Sequence, residues 1–235
     1  MAMLETSGHA ATDPLADMLP PQAILFDLDG TLVDTAPDLA NATNILREHH
    51  GLAPLPFEQI RREVSNGGSA LVTLATGLQA DAPAHGEARQ FLLDAYERAV
   101  AVHSKVFTPL DDWLRRWHAD NRHWGIVTNK PRRYTLPLLE ALALSPGALL
   151  CADDLSVKKP APEPLWEAAR RLGIEAGACW YVGDHRRDIE AAKAAGMTAI
   201  AVGYGYISEQ DNHRDWPADI WFDTCEELVE RLASF

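Results

Sequence analysis

Hydrophobic residues in this chain gather into short unbroken runs separated by longer amphipathic stretches. Ala23-Ile24-Leu25-Phe26 is one such run; Trp124 to Thr128, Ala148 to Ala152, Cys179 to Gly183, Thr198 to Val202 and Ile220 to Phe222 repeat the pattern. A strand buried on both faces reads this way, whereas a half-exposed strand alternates. Between the runs lie segments with helical spacing: a stretch after Thr128 that reaches Leu144, then Glu163 to Leu172, Ile189 to Ala195 and Glu226 to Leu232. Gly196, directly after the third of these, suits the left-handed residue that ends a helix. Strands and helices alternating at these lengths predict an α/β fold, with a parallel sheet, right-handed crossovers and helices on both faces.

Residues 36–104 break the alternation. They show helical periodicity (Ile45, Leu46 and His49; Phe91, Leu92, Ala95 and Tyr96) and no convincing strand. A wholly helical block between the first strand and the next predicts an inserted subdomain over the carboxyl end of strand one. The expected organisation is therefore an α/β core of residues 21–35 and 105–235, a helical cap over 36–104, and a mobile tail over 1–20.

Composition narrows the partners. The chain has 235 residues and a formal charge of −13, which argues against nucleic acid held by bulk electrostatics. A small anionic substrate stays compatible, because a cation and one or two lysines reverse the field inside a cleft. No apolar run is long enough to span a bilayer. The first 20 residues, with Glu5, Asp13 and Asp17, lack the basic start and apolar stretch of a signal peptide, so a cytoplasmic setting is expected. Cys151, Cys179 and Cys225 are odd in number and sit in apolar surroundings, which suits buried thiols in a reducing compartment. Oligomeric state leaves no readable mark.

The chemistry concentrates at strand ends. Asp27 and Asp29 follow the first hydrophobic run directly, with Gly30 and Thr31 behind them. Open α/β sheets bind ligands at that edge. Two acids there need a counter-charge, and an oxygen-only pair suits Mg²⁺. Each later strand also delivers polar groups: Thr128-Asn129-Lys130, then Lys158-Lys159-Pro160, then Gly183-Asp184-His185-Arg186-Arg187-Asp188. Singly, each of these reads equally well as a helix cap or a solvated charge. Together they place an acid pair, a hydroxyl, a lysine and a second acid pair on one edge of one sheet.

The ordered strings D-L-D-G-T, V-T-N, K-K-P-A-P and G-D-H-R-R-D resemble the four motifs of the haloacid dehalogenase superfamily. The helical block after the first motif resembles the cap of its phosphoglycolate phosphatase branch. Ala101 to Phe107, Trp124 to Pro131 and Gly203 to Ile207 are similar to a proteobacterial subgroup that includes N-acetylmuramic acid 6-phosphate phosphatases. The resemblance implies a Rossmann-like core and a Mg²⁺-dependent phosphomonoesterase acting on a small-molecule phosphoester, either 2-phosphoglycolate or a bulkier sugar phosphate. It implies Asp27 as nucleophile and Asp29 as general acid and base. Asp27, Asp29 (through its backbone carbonyl), Asp184 and Asp188 become the metal set. Gly30, Thr128, Asn129 and Lys159 become the phosphate holders, with Lys158 left solvated. From the cap, Asn66, Gly67 and Gly68 of a polar glycine-rich turn are expected to meet the substrate. Arg61, Arg62 and Lys105 are further anion-binding candidates. The sequence departs from the family where Ser or Thr often follows the last motif's acid: here His185 does. A phosphosugar mutase of the same branch, and a phospho-accepting receiver-like module outside enzymes, remain the alternatives.

Overall fold

The chain's fold is taken from a computed structural model that describes residues 19–235. The tail expected over residues 1–20 therefore lies outside the described residues, apart from its last two positions.

The run Ala23–Phe26 forms β1, fully buried along its length. After it come a two-residue strand β2 (Val33–Asp34) and four helices: α1 (Ala36–His49), α2 (Phe57–Arg61), α3 (Gly67–Thr76) and α4 (His85–Arg98). A second two-residue strand, β3 (Lys105–Val106), follows. Then the alternation sets in: α5 (Leu110–Ala119), β4 (His123–Val127), α6 (Arg132–Ala141), β5 (Ala148–Leu150), α7 (Glu163–Leu172), β6 (Cys179–Gly183), α8 (Arg186–Ala195), β7 (Thr198–Val202), β8 (Ile220–Phe222) and α9 (Cys225–Leu232).

The sheet runs β5-β4-β1-β6-β7-β8 and every pairing in it is parallel. Its two faces follow from period-two patterning. Ile24, Phe26, Trp180, Val182, Ile200 and Val202 pack on one side with Trp113 and Leu114 of α5 and Leu228 of α9. The residues between them, Leu25, Tyr181, Ala199 and Ala201, pack on the other side with Leu165 of α7 and Ile189 of α8. β1 lies between β4 and β6, two strands reached in opposite directions from it. That is the switch point where loops part and leave a crevice at the carboxyl edge.

Helices α1–α4 build a separate apolar cluster around Leu46, Ile60, Leu71, Leu92 and Tyr96. Chain enters this helical segment through β2 and leaves it through β3, and the two pair antiparallel, with Val33 opposite Val106. Both strands are too short to leave a periodic signal, and neither is predictable from the hydrophobic pattern. Cys151, Cys179 and Cys225 are buried free thiols.

The last helix is fixed by a capping box. Thr224 Oγ1 accepts from the Glu227 amide at 3.2 Å, and Glu227 Oε2 accepts from the Thr224 amide at 3.4 Å. Losing such a cap typically costs ~1 kcal/mol. Thr224→Ala is accordingly expected to lower the melting temperature by roughly 2–4 °C. An unchanged melting curve by circular dichroism would remove the cap from the account.

Candidate active site

The polypeptide delivers its acids to one place because three neighbouring strands stop at the same level. β1 pairs with β4 and β6, and Phe26 stands opposite both Ile126 and Val182. One residue further, the Asp27 amide still donates to Val182 O at 2.9 Å, so the backbone is held as a strand while its side chain leaves the sheet edge. Asp27, Asp184 and Asp188 then converge, with carboxylate oxygens within 4.8 Å of one another. Asp188 reaches in from the first turn of α8. Three glycines make the approach possible. A Cβ on Gly183 would stand 2.3 Å from that of Asp188, and one on Gly205 would stand 2.2 Å from that of Asp184. The third, Gly30, has φ +84°, and a Cβ there would lie 2.2 Å from Asp184 Oδ2.

Lys159 enters from the loop before α7. Its Nζ lies 2.8 Å from Asp27 Oδ1, 2.7 Å from Val127 O and 2.7 Å from Tyr181 Oη. Asp188 Oδ1 also lies 2.8 Å from that nitrogen, but off hydrogen-bonding geometry, and both Asp188 oxygens are buried without a hydrogen bond. Asp184 is better served: Thr31 Oγ1 donates to it at 3.0 Å and the Tyr206 amide at 2.8 Å. Three buried carboxylates and one ammonium leave two negative charges uncompensated. Burial, reinforced by Asp27 and Asp188, pushes the Asp184 carboxyl up to about 7. Burial likewise raises Asp27, with Lys159 pulling the other way. Orphaned oxygen donors in a buried, acid-only cluster fit a hard divalent cation.

Asp29 is handled separately. Its Oδ1 accepts from Thr35 Oγ1 at 2.6 Å and from Lys130 Nζ at 2.8 Å, while Oδ2 makes no hydrogen bond among the described residues. Its side chain is thus outside the cluster that Asp27 shares with Asp184 and Asp188. The Lys130 side chain is only 7% exposed, with its Nζ 4.6 Å from the Tyr96 ring centroid. Burial works to lower this amine, but Asp29 and Tyr96 outweigh it and the net direction is upward. Lys130 therefore stands as a fixed cation beside Asp29, a role that the V-T-N-K string contained and that sequence reasoning passed over.

Above these groups lies a cavity of about 390 Å³ between the helical segment and the sheet edge. Asp27, Asp29, Thr128, Asn129 and Lys130 line it from the sheet, and Ser65, Asn66, Gly67, Gly68 and Ser69 from the helices. Thr128 Oγ1 accepts from the Lys130 amide at 3.1 Å, which keeps its own hydroxyl proton free to donate. Asn129 Nδ2 donates to Lys159 O at 2.9 Å, and its buried Oδ1 has no partner.

Several expectations need correcting. The Gly30 amide donates to Val33 O at 2.9 Å and Gly30 does not border the cavity, so this glycine makes room for Asp184 instead of holding phosphate. Lys158 is exposed, as expected, and stands at the rim of the cavity, whereas Lys159 is buried against Asp27 and does not line it. Arg61 and Arg62 do not border the cavity, and both bond to the segment that follows β7. Arg61 donates to Gly205 O at 3.0 Å and Tyr204 O at 2.8 Å, and Arg62 pairs with Glu209. Arg187 donates to Ser65 O, a further tie between α8 and the helical segment. Lys105 sits in β3 and does not line this cavity. His185 is the N-cap of α8, its Nδ1 accepting from the Arg187 amide at 3.2 Å. That is the job a Ser or Thr does at a helix start. The acceptor must be unprotonated, and burial, followed by the nearby Arg187 charge, lowers the imidazole to about 4.

Two kinds of comparison define the class. The family model for haloacid dehalogenase-like hydrolases matches residues 24–202, and the chain belongs to that family. An N-acetylmuramic acid 6-phosphate phosphatase of Pseudomonas aeruginosa is 40% identical over 213 residues, covering 90% of this chain and 94% of that protein. A phosphoglycolate phosphatase of Xanthomonas campestris is 37% identical over 215 residues, covering 91% and 97%. A crystal structure of a predicted phosphoglycolate phosphatase from Haemophilus somnus superposes with a TM-score of 0.74 at 25% identity, covering 90% of this chain and 98% of that one. Among the described residues no helix is long and apolar enough to cross a membrane.

Proposed function

We propose that the protein is a cytoplasmic, magnesium-dependent phosphomonoesterase working through an aspartyl phosphate, with a small phosphorylated metabolite as substrate. The observation that carries this reading is a carboxylate, Asp27, at the tip of the central strand, tied to Lys159, grouped with Asp184 and Asp188, and open to a cavity.

In this reading Asp27 supplies the nucleophilic oxygen. It forms a bond to phosphorus as the ester P–O bond breaks, which divides one slow displacement into two easier ones. Asp29 gives its proton to the departing alcohol oxygen, then takes one from the water that attacks the phosphorylated Asp27. General acid–base help of this kind is typically worth ~10²–10⁴-fold. Because Oδ1 is occupied by Thr35 and Lys130, Oδ2 is the oxygen left to carry that proton. Thr128 and Asn129, at the cavity floor, hold phosphoryl oxygens, and Lys159 fixes the orientation of Asp27. Asp27, Asp184 and Asp188, together with the Asp29 backbone carbonyl, would hold the cation. When bound, it supplies the positive charge that lets an anionic nucleophile meet an anionic phosphoryl group. Residues 36–104 act as the cap, and Asn66, Gly67 and Gly68 present its substrate-facing turn. Both 2-phosphoglycolate and N-acetylmuramic acid 6-phosphate are substrates to consider, as the names of the relatives suggest.

Phosphate release should be measured across a panel of phosphomonoesters containing those two, with and without Mg²⁺. Metal-dependent release from at least one ester, suppressed by EDTA, is the expected result. No release from any ester, or full release after thorough chelation, would refute the assignment.

A further inference from the structure

Helix α4 turns one stripe toward the cavity: Arg89, Leu93 and Tyr96 all line it, at the i, i+4, i+7 spacing of a single helical face. The two ends of this stripe differ. Tyr96 marks the reacting end, since Lys130 sits over its ring and pairs with Asp29 at 2.8 Å. Its hydroxyl is buried, and the Lys130 amine is the charge beside it. Arg89 is two turns back, roughly 10 Å along the axis at 1.5 Å per residue. Helical side chains lean toward the N-terminus, so the guanidinium points further from the reacting end. Its Nε lies against the start of α3, 3.7 Å from where a Cβ on Gly68 would be.

Arg89 has no ion pair or hydrogen bond among the described residues. Other charges around the cavity are largely committed. Lys130 is paired with Asp29, Lys159 with Asp27, and Arg187 donates to Ser65 O. Lys158 is uncommitted, but it belongs to the loop that carries Lys159 to Asp27. Between Arg89 and Tyr96 the wall is apolar, formed by Leu93 with Leu71 and Tyr134. From one end to the other the cavity thus presents phosphoryl chemistry, a hydroxyl, an apolar wall and a free guanidinium.

We infer that Arg89 is a specificity-determining residue that binds a carboxylate carried by the substrate at the end remote from its phosphoryl group. The substrate is then a carboxylated sugar phosphate, whose ring lies against Leu93 and whose ring oxygens meet Tyr96. A carboxylate on the carbon next to the ester oxygen, as in 2-phosphoglycolate, is too close to phosphorus to reach Arg89. Guanidinium–carboxylate pairing is bidentate and directional, so it discriminates an acid from a neutral group of similar size. This inference rests on the phosphatase reading above and sharpens its substrate.

The test uses two sugars that differ only in the lactyl ether, N-acetylmuramic acid 6-phosphate and N-acetylglucosamine 6-phosphate, with 2-phosphoglycolate and p-nitrophenyl phosphate alongside. The wild-type protein is expected to favour the acidic sugar. Arg89→Ala should lower kcat/KM for it by roughly 10- to 100-fold, mainly through KM, as loss of a hydrogen bond to a charged group does. Rates on the other three esters should stay within about twofold, which also shows that the variant is folded. Arg89→Lys should recover part of the loss. Equal losses on all esters, no loss on the acidic sugar, or a wild-type enzyme that ignores the lactyl group would each overturn the role of Arg89. A wild-type protein releasing phosphate from none of the four would instead strike at the phosphatase reading itself.

Discussion

Exchanging Asp27 for asparagine is expected to lower phosphate release by roughly 10⁴- to 10⁶-fold while leaving the protein folded. The two side chains have nearly the same shape, so packing at the end of β1 is preserved. The amide is a poor nucleophile, and the two acids that share its cluster, Asp184 and Asp188, do not border the cavity. Removing one of three crowded negative charges should leave thermal stability unchanged or raised, since burial already pushes the Asp27 carboxyl upward. Single-turnover phosphate release and a melting curve on the same preparation separate the two effects. A folded variant that keeps its turnover would show that position 27 is not where the phosphoryl group goes.

Lys159→Met should be the most destabilising of the changes considered. Lys159 is 2% exposed and its ammonium stands between Asp27 and Asp188, so its loss strands two buried carboxylates. Breaking a buried ion pair by deleting one partner typically costs ~3–5 kcal/mol. For a chain of this size that corresponds to a fall in melting temperature of roughly 6–20 °C. Millimolar Mg²⁺ is expected to restore more of that loss in the variant than it adds to the wild-type protein, because the cation then answers a larger charge deficit. Activity should fall by at least ~10²-fold, since Asp27 loses the contact that orients it. Differential scanning fluorimetry with and without the metal decides the matter. Equal metal-induced shifts in the two proteins would mean that Lys159 and the cation do not answer the same charges.

Much of this arrangement was written in local sequence. The unbroken hydrophobic runs announced the strands of the parallel sheet, and the acids immediately after them announced the edge at which a site would form. Both signals are short-range, because burial on two faces and a strand's exit into a loop involve consecutive residues. What the sequence concealed depends on contacts between distant positions. Lys130 meets Asp29 across 101 residues, and nothing in V-T-N-K distinguishes a lysine that pairs with an acid from one that contacts solvent. Arg61 looked like an anion binder, but carbonyl oxygens of residues 204 and 205 had first claim on it. Gly30 had the right neighbours for a phosphate-binding amide, yet the tight turn to Val33 uses that amide. Helix α5 lay in a stretch the strand–helix alternation did not reach, and Arg89 carries no motif at all. Only the face of α4 that it shares with Leu93 and Tyr96 gives it meaning.

The antiparallel pairing of Val33 with Val106 has a consequence for how such a molecule can change over time. It brings the departure and return points of some seventy residues side by side, so the intervening helices form a cassette spliced at one seam. A different cassette could be grafted there without shifting a strand of the sheet, because insertions are tolerated where their ends lie close together. Selection can then remodel what the molecule recognises while its reactive acids stay where they are.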